Sequence, residues 1–268
     1  MPQLGLVNSL TSGNPLKGFL RYALDGLKLY MPTRGSRSEE IQFVGTDSMS
    51  FDGTNDYVGI ADDSSLNITN NQTIICWAKN DNSGLGDGEY MTARYKSSGE
   101  DSRVYAFHLD AAEKLNFASS DDGESGTMVW KSDSAISNIN TWTHYATTFE
   151  SGTVKMYVNG VSIAITRSGE THSAMASENV DMAIGSISEG GGGYWEGSIK
   201  NVAIWNRVLT ATEIQNVMYK SYEEVSGRLL SGMVSWWALE ESIVALVTKV
   251  ADSHGSNTGT ITGATISA

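Results

Sequence analysis

The chain has 268 residues, 40% of them hydrophobic, with seven Trp and eleven Tyr, which suits one large all-β domain with appendages as well as two small domains. Its formal net charge is −13, from 31 acidic and 18 basic residues, and that argues against nucleic acid or an anionic membrane as partner, because phosphate-binding surfaces need clustered Lys and Arg. The single cysteine, Cys76, excludes an intrachain disulfide, and no run of about 18 apolar residues is present to cross a membrane as a helix.

Residues 1–20 hold Gly, Asn, Ser and Pro with scattered Leu and read as an N-terminal arm. Met1–Phe19 lacks a basic segment followed by an apolar stretch and a small-residue cleavage site, so a secretory signal is not expected. From Ile41 to Trp205 the chain reads as short β-branched and aromatic runs bounded by Gly, Asn, Asp or Ser. The expected strands are Ile41–Val44, Ser48–Phe51, Tyr57–Ala61, Gln72–Lys79, Tyr90–Tyr95, Val104–Leu109, Lys114–Ser119, Met128–Lys131, Thr141–Phe149, Thr153–Val158, Val161–Thr166, Asp181–Gly185 and Gly197–Asn206. In Trp142–Phe149 and in Val154–Val158 alternate residues face opposite ways, as in a strand with one buried side. Cys76, inside the apolar run Thr73–Trp77, reads as a small core hydrophobe. Asn159-Gly160 marks a tight hairpin turn.

One helix is expected after Thr210, which forms a capping box with Glu213, while Ile214, Val217 and Met218 supply one apolar side. Beyond it, residues 226–268 form a C-terminal extension. It contains an apolar block, Leu229–Leu239, and a Gly/Thr/Ser-rich tail, Asp252–Ala268, in which Thr260, Ile261 and Thr262 alternate enough for a short strand. The domain reading is therefore an arm (1–20), a main domain (21–225) and this extension (226–268).

Three segments carry a resemblance. Ser50–Val58 (SFDGTNDYV), Ile139–Gly160 with its TVKMYVNG hairpin, and Ala183–Val217, where an aromatic-Gly pair precedes a strand ending in Trp-Asn and then a Leu-Thr-x-x-Glu-Ile helix, together resemble laminin G-like, concanavalin A-like domains. Pentraxins share the closing segment. The resemblance implies an all-β, concanavalin A-like antiparallel β-sandwich of jelly-roll type with one short helix. Val234–Ala264 resembles the family's opening segment, which normally precedes the Phe-Asp-Gly motif, and Tyr22–Met31 fills the opening role instead. The tail is then a remnant of a second copy, or a strand donor to its own sandwich or to a neighbouring subunit.

Such folds often bind sugars or acidic polymers through calcium in edge loops. Matched to pentraxins, the first ligand pair falls on Asp101-Ser102 and the second cluster on Ile187-Ser188-Glu189. Calcium takes six to eight oxygens, several of them from carboxylates, so Asp101 and Glu189 are the candidate ligands, and Ile187 stands where a carboxylate is expected. Asp81–Asp87 and Asp121–Glu124 are further acidic loops that read as polar turns. The Gly190–Gly193 run lacks a following Lys and is no phosphate loop. It reads as a rim presenting Tyr194 and Trp195, whose rings suit stacking on a sugar, with core packing the alternative for Trp195.

Catalysis is not expected. The sequence has no Glu-x-Asp-x-Glu or Glu-x-Asp-x-x-Glu strand of the glucanase kind and no Gly-x-Ser-x-Gly, and His108, His144, His172 and His254 are far apart. Tyr22–Val58 is similar to bacteriophage structural proteins that carry this domain. The expected role is thus a non-enzymatic virion protein, a capsid decoration or fibre-associated component made in the host cytoplasm. Its partners would be other virion proteins, copies of itself and glycans. The alternative is an extracellular or cell-surface carbohydrate-binding module that uses calcium.

Overall fold

The computed structural model describes residues 47–81, 88–96, 102–124, 127–136, 139–188, 191–240 and 248–267. The arm and the expected strand Ile41–Val44 lie outside them. Strands follow the alternating runs: β1 (Ser48–Asp52), β2 (Tyr57–Ile60), β3 (Asn71–Asn80), β4 (Glu89–Lys96), β5 (Ser102–Leu109), β6 (Leu115–Ser119), β7 (Met128–Ser132), β8 (Thr143–Glu150), β9 (Thr153–Val158), β10 (Val161–Ser162), β11 (Ile165–Gly169), β12 (Met182–Ile184) and β13 (Glu196–Trp205). After helix α1 (Ala211–Val217) come β14 (Met233–Trp237), β15 (Lys249–Val250), β16 (Gly259–Thr262) and β17 (Thr265–Ser267).

Among the described residues these strands form two antiparallel sheets. One runs β10-β9-β8-β3-β13-β1-β17, with β14 also paired to β13; the other runs β11-β7-β6-β5-β4-β12-β2-β16-β15. Met49, Ile74, Cys76, Phe107, Phe117, Met182 and Ile199 belong to the buried core that both sheets share. The sandwich expected from the sequence is therefore present. The run Val161–Thr166 is not one strand: β10 bonds to β9 in the first sheet, β11 to β7 in the second, and residues 163–164 cross between them. Asn159 and Gly160 both take positive φ, 49° and 75°, the geometry a two-residue hairpin turn requires.

Helix α1 starts as expected. The Thr210 hydroxyl accepts from the Glu213 amide, and the Glu213 carboxylate accepts from the Thr210 amide at 2.8 Å. Its buried Ile214 and Val217 join Ile75, Trp205 and Trp236 in a second apolar cluster. Two indoles tie this layer to the strands: Trp77 Nε1 donates to Met218 O at 2.6 Å and Trp205 Nε1 to Leu229 O at 2.7 Å. No helix among the described residues is long and apolar enough to cross a membrane.

The segment after Ser226 is built into this same sandwich. β14 lies beside β13, β16 beside β2 and β17 beside β1, with Ser50 opposite Thr265. Trp237, Leu239 and Val250 are fully buried core residues. The Asp252 carboxylate accepts from four backbone amides, those of Trp236, His254, Gly255 and Asn257. The side chain of Asn257 donates to Ser65 and Ser235, and Trp237 Nε1 donates to Asn257 O. The segment that resembles the family's opening, Val234–Ala264, thus lies beside β13 and β2, and β17, just after it, lies beside the Phe-Asp-Gly strand within the same chain.

Candidate functional site

The chain crosses from β12 to β13 through residues 185–196, and this crossing meets three other segments at one end of the sandwich. The first is the turn after β1, where Asp52 accepts from the Thr54 amide and Asp56 from the Asp52 amide. This is the physical content of the FDGTNDYV motif, since both carboxylates close the turn and present Gly53 N to Trp195 O at 3.0 Å. The second is the end of β3, whose Asp81 amide donates to Glu196 O. The third is the start of β4, where Tyr90 N donates to Gly193 O.

Beneath the rim sits Glu89, 4% exposed. It accepts from the Asn80 side-chain amide at 2.7 Å and from the Glu196 backbone amide at 3.2 Å, so its charge is spent locally. Tyr90 stacks on His108 with ring centroids 4.4 Å apart. Gly193 lies on the Tyr90 ring with φ +59°, and a side chain there would collide with it. Gly193 is therefore packed against the Tyr90 ring, while a side chain at Gly192 would meet open space.

Trp195 is 0% exposed, with Nε1 directed at Lys79 O at 3.4 Å. Its ring belongs to the core, so the core-packing alternative holds and Trp195 offers no face to a sugar. Tyr194 is half-buried on the rim. Its neighbours Gly193 and Trp195 are fixed by backbone bonds to Tyr90, Gly185 and Gly53, which holds Tyr194 in place before any ligand arrives.

Asp101 and Glu189, the candidate calcium ligands, lie outside the described residues, as do residues 82–87 of the Asp81–Asp87 loop. Between them Ile187 is described and supplies only hydrocarbon, while Ser186 donates its hydroxyl to Ser188 O. Among the described residues no group of three His, Cys, Asp or Glu side chains is placed to hold an ion. Asp122, in Asp121–Glu124, accepts from the Ser120 hydroxyl and the Glu124 amide, as a turn residue does.

Sequence reasoning did not foresee one juxtaposition. Ser119 Oγ lies 2.9 Å from His172 Nε2, and Asp121 lies 4.0 Å from His172 Nδ1. Ser119 is 2% exposed, and 4.0 Å exceeds hydrogen-bond reach, so the serine lacks access and the histidine lacks an orienting partner. A depression of about 20 Å³ beside Arg103 and Ser119 has room for a water but not for a sugar ring. The group instead anchors the crossing after β11, where Met175 N donates to Thr69 O and Ala176 N to Ser120 O.

Three histidines make the fold acid-sensitive. Burial pushes His108 down to about 4 and His144 to about 3, and it also lowers His172. The folded state thus prefers neutral imidazole. Stability is full above the ordinary value of 6.5 and falls as pH drops from there towards the lowered values, because the unfolded chain binds protons that the folded chain refuses. Urea titrations from pH 7 to 4 should show this loss, on the order of 3 kcal/mol or more. Both nitrogens of His144 are buried without a hydrogen-bond partner. His144→Leu should therefore keep or raise stability at pH 7 and flatten the acid limb; an unchanged limb would remove His144 from the account.

A family model described as the concanavalin A-like lectin/glucanases superfamily matches residues 52–215. No curated protein matches the chain. Among solved structures, a proposed carbohydrate-binding protein from Bacteroides ovatus aligns with TM-score 0.59 at 18% identity, over 83% of this chain and 60% of its own length. The chain thus spans about three-fifths of that protein. A heptameric SAP-like pentraxin from Limulus polyphemus aligns with TM-score 0.43 at 17% identity, over 80% and 97% of the two chains. The CBM40 of a Ruminococcus gnavus IT-sialidase, bound to α2,3-sialyllactose, gives 0.47 at 14%, over 63% and 96%. At such identities these likenesses concern the fold.

Proposed function

The chain belongs to the concanavalin A-like lectin/glucanases superfamily, and from that premise we propose that it is a non-catalytic glycan-binding sandwich. The observation that carries the reading is Tyr194, a half-buried ring on a rim whose backbone is fixed on both sides. Glu196 and Asp81 flank the crossing and can accept from sugar hydroxyls, while the ring supplies an apolar face. The name of the Bacteroides ovatus protein, which speaks of carbohydrate binding, agrees with this role. A hydrolytic role has less support, because Ser119 is enclosed and the glucanase carboxylate pattern is missing from the sequence.

A glycan-array screen tests the proposal directly. Tyr194→Ala should weaken the strongest hits about tenfold and leave the unfolding midpoint unchanged. Binding should persist in a chelator, since Ile187 replaces a ligand the calcium site would need. An array with no hits, or hits untouched by Tyr194→Ala, would sink the rim as the site; hits lost in chelator would restore the calcium reading.

The likeness of Tyr22–Val58 to phage structural proteins supports display of this sandwich on a virus particle, beside other virion proteins or copies of itself. Co-purification with intact particles is the expected result, and its failure would leave a free carbohydrate-binding module.

A further inference from the structure

We propose that the side chains of Lys200 and Glu240 are joined by an amide bond, with the Asp47 carboxylate moving the proton. Lys200 lies in the middle of β13 and is 2% exposed, its Nζ 5.0 Å above the Trp142 ring. Two strands share one edge of β13 and meet at this point. β1 pairs up to Met49–Ile199, β14 takes over at Trp237–Val202, and the intervening Asn201 amide donates to Ala238 O. Asn201 has φ +50°, and the β3 register shifts between Lys200 and Ala203. The junction thus gathers Asp47, just before β1, and Glu240, just after β14, around one buried amine. These two carboxylates are the charges that act on Lys200, Glu240 more strongly, while burial lowers the ammonium pKa and favours the free amine.

The step balances without a cofactor. One proton passes from the Lys200 ammonium to Glu240, which leaves a neutral amine and a neutral carboxyl. Nζ attacks Cδ of Glu240, and Asp47 takes a proton from the nitrogen and returns it to the departing hydroxyl. The Nζ–Cδ bond forms, a Cδ–O bond breaks, one water leaves, and Asp47 ends as a carboxylate. A buried ammonium facing carboxylates carries a desolvation penalty. Condensation removes two of the three charges, and the near absence of solvent at Lys200 protects the product from hydrolysis.

The test is the intact mass of the full chain in denaturant, which needs no folded variant. The expected mass is below the sequence mass by one water, about 18 Da, and digestion should yield one branched peptide joining the segments that hold Lys200 and Glu240. Lys200→Arg and Glu240→Ala should restore the full mass, and Asp47→Ala should leave most of the chain unlinked. The full sequence mass in the unaltered chain would overturn the proposal. So would a loss that persists in Lys200→Arg, which would mark dehydration at an Asp-Gly pair such as Asp52-Gly53, or a branch that ends on Asp47.

Discussion

Removing residues 234–268 is expected to abolish the folded state, rather than to release a lighter oligomer. The cut takes most of β14 and all of β15–β17 with Trp236, Trp237, Leu239 and Val250, all at most 1% exposed. Loss of one buried Trp alone costs about 3–5 kcal/mol, against a total stability of about 5–15 kcal/mol for a domain. The cut also bares the edge amides of β1, β2 and β13, which those strands now satisfy. Far-UV circular dichroism and a urea titration decide the matter. A cooperative truncated chain with a smaller oligomer mass would show instead that the tail is exchanged between subunits. A gentler probe is Asp252→Ala, which strips the acceptor from four amides and should cost roughly 2–4 kcal/mol.

Arg94→Ala is the point substitution expected to cost most. The side chain is fully buried in β4, and its guanidinium donates to Leu66 O, Asn67 Oδ1, Asp62 Oδ1, Glu178 O and Val180 O. It therefore ties the turn after β2 to the crossing before β12. Alanine would leave buried carbonyls and the Asp62 carboxylate without a donor, for about 3–5 kcal/mol. Arg94→Lys should recover only part, because an ammonium cannot span acceptors placed for a planar fork. Urea midpoints of the two variants check this; a lysine variant as stable as the unaltered chain would show that charge alone matters.

Strand positions were legible because alternation survives in a sheet with one face on the core: Val154 and Met156 are buried while Lys155 is exposed. The helix was legible from its capping box, which is a local device. Contacts set by tertiary neighbours were not. Arg94 looks like any strand cation until the carbonyls around it are placed. Trp195 stood open between rim and core because the sequence cannot say which of two adjacent rings, Tyr194 or Trp195, turns inward at a sheet crossing. The tail was legible in part: Thr260–Thr262 falls within β16 and the strand donated to its own sandwich is present, while the strands of two to five residues gain their order from β1, β2 and β13. The partner of His172 was hidden for the same reason: Ser119 is its neighbour only once β6 and the crossing after β11 are folded.

Pairing of Ser48 with Ser267 also sets a timetable for folding. The strand that leaves the ribosome first in this sheet must wait for a partner 219 positions later. At about 5–20 residues per second that delay is on the order of 10–40 s, during which one edge of β1 and the apolar inner faces of both sheets lack their cover. A nascent chain in that interval carries an unpaired strand edge and exposed apolar surface, the features that expose a chain to aggregation, and closure of this long-range pair is a slower step than any local helix or hairpin.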